Sequence, residues 1–595
     1  MASSSRTVNF RMLASAAAGA ALLLATLPAG AHAFDPKKDR ETHLLSRSYT
    51  GGFPNGASRN AVFAQNGQGT SFVAFESDAS DIVPNDVNGF TDVFLVRRGG
   101  HFTQSRGEPW QPAGGAQIVS SGMGGQPANG PSYDPQADGD AKHRQPHCVA
   151  FVSQATNLVP NDTNGKADAF VKDLRSGRIT RVSVGRGGVQ SDGDTFDVSI
   201  DGSCTRVAFT SNASNLYLSK AAAGKNRFLN AVFTQAPLPG TKQVYVRFLN
   251  GQKDNRNLAG VTFLASASNS KVPGARDSYD VSFGRLGDGC PKRCGTSAGD
   301  SVAFTSDASN LAGRDSNGVA DVYQRTFYLP TLNYKQRRKH MRRYLRPRTL
   351  LISATRSGQA GNGPSTSPAS NDDGEYVVFQ TDATNLVPGD HNNASDVLMR
   401  GTFSDSKWMR MVSHAKETGQ ANAASYDPTI TSPASIIFFS SDASNLQPNK
   451  PGGRGDKFYD RNCMRDVFFW NTVSGNASLQ SRDSLQRIPN LPENVGASTE
   501  AKCPPVVASG SSNPSSSYYG NYFLFESAYP LLDLDFESYV QNNIEGVIAS
   551  PIAKWELAAK ASDDDPSLHQ VYLRYNGPKD GNARFPRSSW PKAAS

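Results

Sequence analysis

The chain has 595 residues, 37% of them apolar and 19% charged, with a formal net charge of +8. That balance belongs to a soluble globular protein with several domains of roughly 100–200 residues, or with one large repetitive domain. The 54 glycines and 35 prolines, in stretches without helical periodicity, predict many turns and short strands, which is an all-β pattern.

The first 33 residues read as a secretory signal peptide. Arg6 and Arg11 form a basic start, "MLASAAAGAALLLATL" an apolar core, and "AHA" before Phe34 a small-residue cleavage site. The apolar stretch is short for a span of ~20 residues, and no later segment is apolar enough to cross a bilayer. A secreted location is therefore expected, either extracellular or periplasmic and lumenal, with one domain over residues 34–595. In an oxidising compartment, Cys148, Cys204, Cys290, Cys294, Cys463 and Cys503 form an even set compatible with three disulfides. Six cysteines allow 15 pairings. Sequence order favours Cys148 with Cys204, Cys290 with Cys294 and Cys463 with Cys503. The sequons at Asn161, Asn212, Asn393 and Asn476 are glycan acceptors in a eukaryotic host.

Internal repetition organises the remainder. A short apolar strand with a polar exit recurs as "FVAFESDAS", "CVAFVSQATNL", "RVAFTSNASNL", "SVAFTSDASNL", "YVVFQTDATNL", "IIFFSSDASNL" and the degraded "YFLFESAYPLL". Each copy is followed by a second strand such as "DVFLV" or "DVFFW", and then by a third such as "TRVSVG" or "TLLISAT". Phrases such as "SYDP" begin the next unit. Four short strands per unit, bounded by Gly, Asn, Asp and Pro, fit a radial blade. Seven anchors predict seven blades, with six possible because the last is weak. "THLLSRS" near the N-terminus reads as an orphan strand, so residues 42–48 are expected to complete the last blade and close the ring.

The order "S-x-D-G … VAF-x-S … D-V-F … G-x-x-x-x-V-S" resembles the TolB-like, WD-related β-propeller repeat over roughly residues 40 to 576. The resemblance implies a single propeller with a central channel, in a family of secreted or periplasmic proteins that bind partners. That family contains enzymes as well as scaffolds, so the fold leaves function open.

Two residue sets on one face of the disk are candidate sites. "D-x-N-G-x-x-D" places Asp86, Asn88 and Asp92 in one turn. Asp162, Asn164 and Asp168 repeat it, as do Asp315, Asn317 and Asp321; Asp390, Asn392 and Asp396 match with Asn393 in the Gly position. Alternating oxygen donors can supply part of a calcium shell. The competing reading is structural: Asn-Gly makes the turn and the final Asp secures the start of the following strand. The second set is Tyr133 and Asp134, Phe196 and Asp197, Tyr279 and Asp280, and Tyr426 and Asp427, expected at the channel mouth. The aspartates would receive a cationic or sugar ligand; alternatively, the aromatic residues wedge between blades and the aspartates cap turns.

No "G-x-S-x-G" elbow or helix-borne zinc motif occurs, nor any nucleic-acid-binding motif. The functional expectation is a non-enzymatic propeller that binds protein or glycan partners through its loop faces. Its alternative is a carbohydrate-active enzyme, a lyase or glycosidase, that uses channel carboxylates. No cofactor is specified beyond possible calcium. The basic insertion at 335–348, with Arg337, Arg338, Lys339, Arg342 and Arg343, suits an anionic polysaccharide. A Ser- and Pro-rich segment follows at 482–520.

Overall fold

A computed structural model describes residues 42–64, 71–98, 114–139, 145–226, 228–249, 258–284, 301–327, 347–372, 374–402, 408–415, 419–447, 465–481, 511–517, 522–527 and 569–575. These residues form seven four-stranded antiparallel sheets. The first strands of blades one to seven are Ser58–Phe63, Ser132–Ala137, Thr195–Ile200, Ser278–Phe283, Ser365–Ser370, Ser425–Ile430 and Ser511–Ser516. The second and third strands of each blade are almost wholly buried on both faces, as in Phe72–Ser77 and Asp92–Arg97 of blade one. That burial is what sandwiching between neighbouring sheets requires, and it explains the unbroken apolar runs. In six blades an aromatic pair faces across these two strands, from Phe75 and Phe94 to Phe525 and Tyr572, with ring centroids 5.7–6.0 Å apart. Two one-turn helices, Lys220–Ala223 and Leu229–Val232, stand in blade three where other blades carry the acidic phrase.

The repeated polar letters of the sequence are inter-strand locks. A hydroxyl at the start of the first strand meets one at the end of the second in six blades, as in Ser58 with Ser77, Ser132 with Ser153 and Ser365 with Thr381. The aspartate that opens the third strand accepts a hydrogen bond from a serine at the end of the outer strand: Ser120 to Asp92 at 2.5 Å, Ser353 to Asp321 at 2.5 Å and Ser413 to Asp396 at 2.5 Å, with Ser183 to Asp168 and Ser481 to Asp466 alike. Gln243 with Ser266 and Gln570 with Ser46 take this place in blades three and seven. In all seven blades the serine oxygen also accepts the following strand amide at 2.9–3.1 Å.

The seventh blade is closed by the N-terminus. Thr42–Leu44 pairs antiparallel with Gln570–Tyr575 as the outer strand. The Leu45 amide then donates to the Val571 carbonyl at 2.9 Å, and the buried Arg574 donates to the Thr42 hydroxyl at 2.7 Å. The expected closing strand at 42–48 is therefore present as a shorter strand continued by single hydrogen bonds.

A disulfide joins Cys148, which opens the second strand of blade two, to Cys204 in the hairpin turn of blade three. It staples adjacent blades on the face opposite the acidic phrases. Cys290, Cys294, Cys463 and Cys503 lie outside the described residues.

Candidate functional site

The first strand of each blade is the edge that faces the axis, and each breaks its register by a bulge. At the bulge Asn60, Asp134, Asp280, Ser367, Asp427 and Asn513 adopt left-handed backbone conformations, with φ between 47° and 53°. Asn and Asp enter that region more readily than other residues with a side chain. In the blades where Pro135, Pro368, Pro428 or Pro514 follows, the missing amide does no harm, because a bulged edge strand tolerates proline. Together with Asp197 of blade three, these residues line an axial cavity of about 360 Å³. None of its described lining residues is basic.

The carboxylates also stitch blades together. Glu526 accepts the Asn60 amide at 2.7 Å, Glu76 the Asp134 amide at 2.6 Å, Asp134 the Val198 amide at 2.7 Å and Asp197 the Asp280 amide at 3.2 Å. Burial followed by the Asp197 charge pushes Asp134 up to about 7. Burial likewise raises Asp197 to about 6 and Glu526 to about 7, despite hydrogen bonds that favour their ionised forms. Asp280 and Asp427 are raised by burial as well, the latter against the opposing pull of Arg465. The wall thus holds several acids whose charging is costly because they are desolvated and near one another. A cation in the cavity relieves both terms.

The aromatic partners take another course. Tyr133, Phe196, Tyr279 and Tyr426 are not among the cavity-lining residues. Lys242 sits 4.2 Å over Phe196 and Arg465 4.1 Å over Tyr426, while the Tyr279 and Tyr426 hydroxyls donate to Asp307 and Asp442. These aromatics pack around the bases of their strands, and the aspartates face the axis.

The acidic turns lie on the same face, beside the starts of the first strands: the Thr91 carbonyl accepts the Ser132 amide and the Ala167 carbonyl the Thr195 amide. Asn88, Asn164 and Asn317 each donate to the second oxygen of the aspartate four residues on, at 2.6, 2.9 and 2.7 Å. In blade two, Arg181 bridges Asp162 at 2.8 Å and Asp168 at 3.4 Å, so a side chain already supplies positive charge there. Among the described residues no arginine or lysine bridges the other turns, although His391 lies beside Asp390, and burial raises Asp86 to about 6, Asp321 to about 7 and Asp396 to about 6. Asp315 instead accepts the Tyr323 hydroxyl.

Of the sequons, Asn161 and Asn393 are exposed, Asn476 is half-buried, and Asn212 uses its oxygen to accept the Asp194 amide at 2.7 Å. The basic residues Arg337, Arg338, Lys339, Arg342 and Arg343 lie outside the described residues, between Asp321–Thr326 and the outer strand Arg348–Leu351. Sequence reasoning missed Asn60, Ser367, Asn513, Glu76 and Glu526. The available signal was positional: "SRN", "STS" and "SSN" align with "SYD" through the leading serine that locks to the second strand.

The chain is thus a seven-bladed β-propeller with an acidic axial channel. Solved structures with similar architecture include a manganese complex of oligogalacturonate lyase, 11% identical over 93% of this chain and 97% of that one, with a TM-score of 0.39. TolB from Acinetobacter baumannii is 11% identical over 75% of this chain and 65% of its own, with a TM-score of 0.29. A protein from Agrobacterium tumefaciens described as a TolB is 10% identical over 61% of this chain and 83% of its own, with a TM-score of 0.29. No family model and no curated protein matches the chain.

Proposed function

We propose that this protein is a secreted, non-enzymatic propeller that binds a protein partner, which presents a lysine or arginine side chain to the axial channel. The observation that carries this reading is the ring of Asp134, Asp197, Asp280 and Asp427 around a cavity without a basic lining residue among those described. The leader-like N-terminus and the Cys148–Cys204 disulfide support an oxidising destination. A desolvated cation paired with several carboxylates gives both affinity and orientation.

The test is binding of Lys- and Arg-containing peptides near pH 7.5, compared with neutral isosteres and with the Asp280→Asn, Asp427→Asn double variant. Binding that depends on the peptide cation and falls at least tenfold in the variant is expected. Equal affinity for the neutral peptide refutes the channel reading.

One observation favours a second reading. Neighbouring acids held at about 7 and about 6, as Asp134 and Asp197 are, suit proton transfer in a carbohydrate-active enzyme. Release of reducing or unsaturated sugar ends from polysaccharide, lost in Asp134→Asn, would establish that alternative.

A further inference from the structure

The four acidic turns are built alike but neutralised differently, and the difference identifies a site. In blade two the Arg181 guanidinium stands within a nest of oxygens. Its Nη1 reaches Asp162 Oδ1 at 2.8 Å, Gln190 Oε1 at 3.0 Å and Asp168 Oδ2 at 3.4 Å, and its Nη2 reaches the Asn161 carbonyl at 3.2 Å. Gln190 is held in place by donating Nε2 to that same carbonyl at 2.9 Å.

Blade five repeats the nest without the guanidinium. Asp390 and Asp396 stand at the places of Asp162 and Asp168, and Gln420 at the place of Gln190. Gln420 donates Nε2 to the Gly389 carbonyl, the counterpart of the Asn161 carbonyl. Arg181 pairs with Phe170 in the outer strand of blade two; the equivalent residue, paired with Leu398, is Met411. Of the four oxygens that Arg181 contacts in blade two, the two carboxylate counterparts in blade five, Asp390 Oδ1 and Asp396 Oδ2, have no hydrogen-bond partner. Their residues are only 5% and 0% exposed. Asn392 lies near enough to favour the ionised Asp396 carboxylate but donates to the Ala421 carbonyl at 3.2 Å. Two buried carboxylate oxygens without a partner are costly unless something positive lies between them.

We propose that the Asp390–Asp396 turn of blade five is a divalent-cation site, with Asp390 and Asp396 as anionic ligands and Gln420 and the Gly389 carbonyl as neutral oxygen donors. Arg181 is the built-in replacement for that cation in blade two. An all-oxygen donor set suits a hard ion, calcium before a transition metal. The turn lies between the second and third strands, so the ion would fix the start of Asp396–Gly401 from outside the Ser413 lock.

The test uses the full chain, stripped with chelator and equilibrated by dialysis against millimolar calcium, with bound calcium per chain as the readout. Asp390→Asn and Met411→Arg should each lose one bound calcium relative to the parent, while the channel acids stay unchanged. Met411→Arg should also melt, in chelator, no lower than the metal-free parent, because it recreates the blade-two arrangement. Arg181→Met should gain one bound calcium. A parent that binds none, or the same calcium count in Met411→Arg as in the parent, overturns the proposal.

Discussion

Removing residues 42–48 takes away the outer strand of blade seven and tests whether the ring depends on its seam. Leu44 and Leu45 are 3% and 5% exposed, and each buried leucine contributes about 1.5–3 kcal/mol, giving about 3–6 kcal/mol for the pair. The bond from the Leu45 amide to Val571 and the bonds of Ser46 with Gln570 and Val571 add about 0.5–1.5 kcal/mol each. The fully buried Arg574 also loses its bond to Thr42, at about 1.5–3 kcal/mol for a charged donor. The total is on the order of 6–14 kcal/mol, comparable with the whole stability of a typical domain, about 5–15 kcal/mol. Light scattering with thermal unfolding should show aggregation, because the strand Gln570–Tyr575 becomes an exposed edge, or a melting transition lowered by roughly 5–12 °C, since the unfolding entropy is about 2 cal/mol/K per residue. A truncated protein that stays monomeric and melts with the parent refutes the seam as a source of stability.

The Cys148→Ser, Cys204→Ser double variant should lose about 4 kcal/mol in denaturant unfolding, from a bridge that closes 56 residues; a loss below the precision of extrapolation would place the staple outside the folding energetics. The ligand-free protein should grow less stable as pH rises from about 4.5 to 7.5. Asp134, Asp197 and Glu526 have folded-state values raised to about 7, 6 and 7, so the native state binds these protons more tightly than the unfolded one. Their contribution is complete below the ordinary carboxylate range and is lost through pH 6–7. Melting curves across that range check the sign, and Asp134→Asn should flatten the slope. Replacing Arg337, Arg338, Lys339, Arg342 and Arg343 with Ala should lower the salt needed to elute the protein from heparin-like resin; unchanged elution would remove the insertion as a polysaccharide contact.

The blades were legible because a fold that repeats must repeat its locks. "VAF-x-S" and "V-S" recur because the serines of both phrases bond across strands in blade after blade, and "D-V-F" recurs because its aspartate holds the second serine. The channel was legible only where its residue was acidic. Asn60, Ser367 and Asn513 share the bulge and its left-handed backbone with Asp134, but a shared backbone angle leaves no single letter to find. Glu76 and Glu526 were hidden for another reason. They sit within second strands whose other residues are core, and it is the neighbouring blade's amide that links them to the channel wall. The acidic turns carried both of their readings at once. One oxygen of Asp396 secures the strand through Ser413 and the other is left over, a distinction between atoms that no residue pattern contains.

The seam also sets an order in time. A blade forms from hairpins whose strands lie close in sequence, such as Ser58 with Ser77, which are 19 residues apart, whereas Thr42 and Arg574 are 532 apart. The entropy of bringing chain ends together grows with the logarithm of that separation, by roughly 3 kcal/mol between these two cases, and contacts this distant form slowly. The seam is therefore expected to be the last contact to form, and until it does the unpaired strand Gln570–Tyr575 can pair with the Thr42–Leu44 segment of another copy. Dilution favours self-closure, and crowding of nascent copies favours exchanged dimers, so the yield of monomer depends on how many chains fold together.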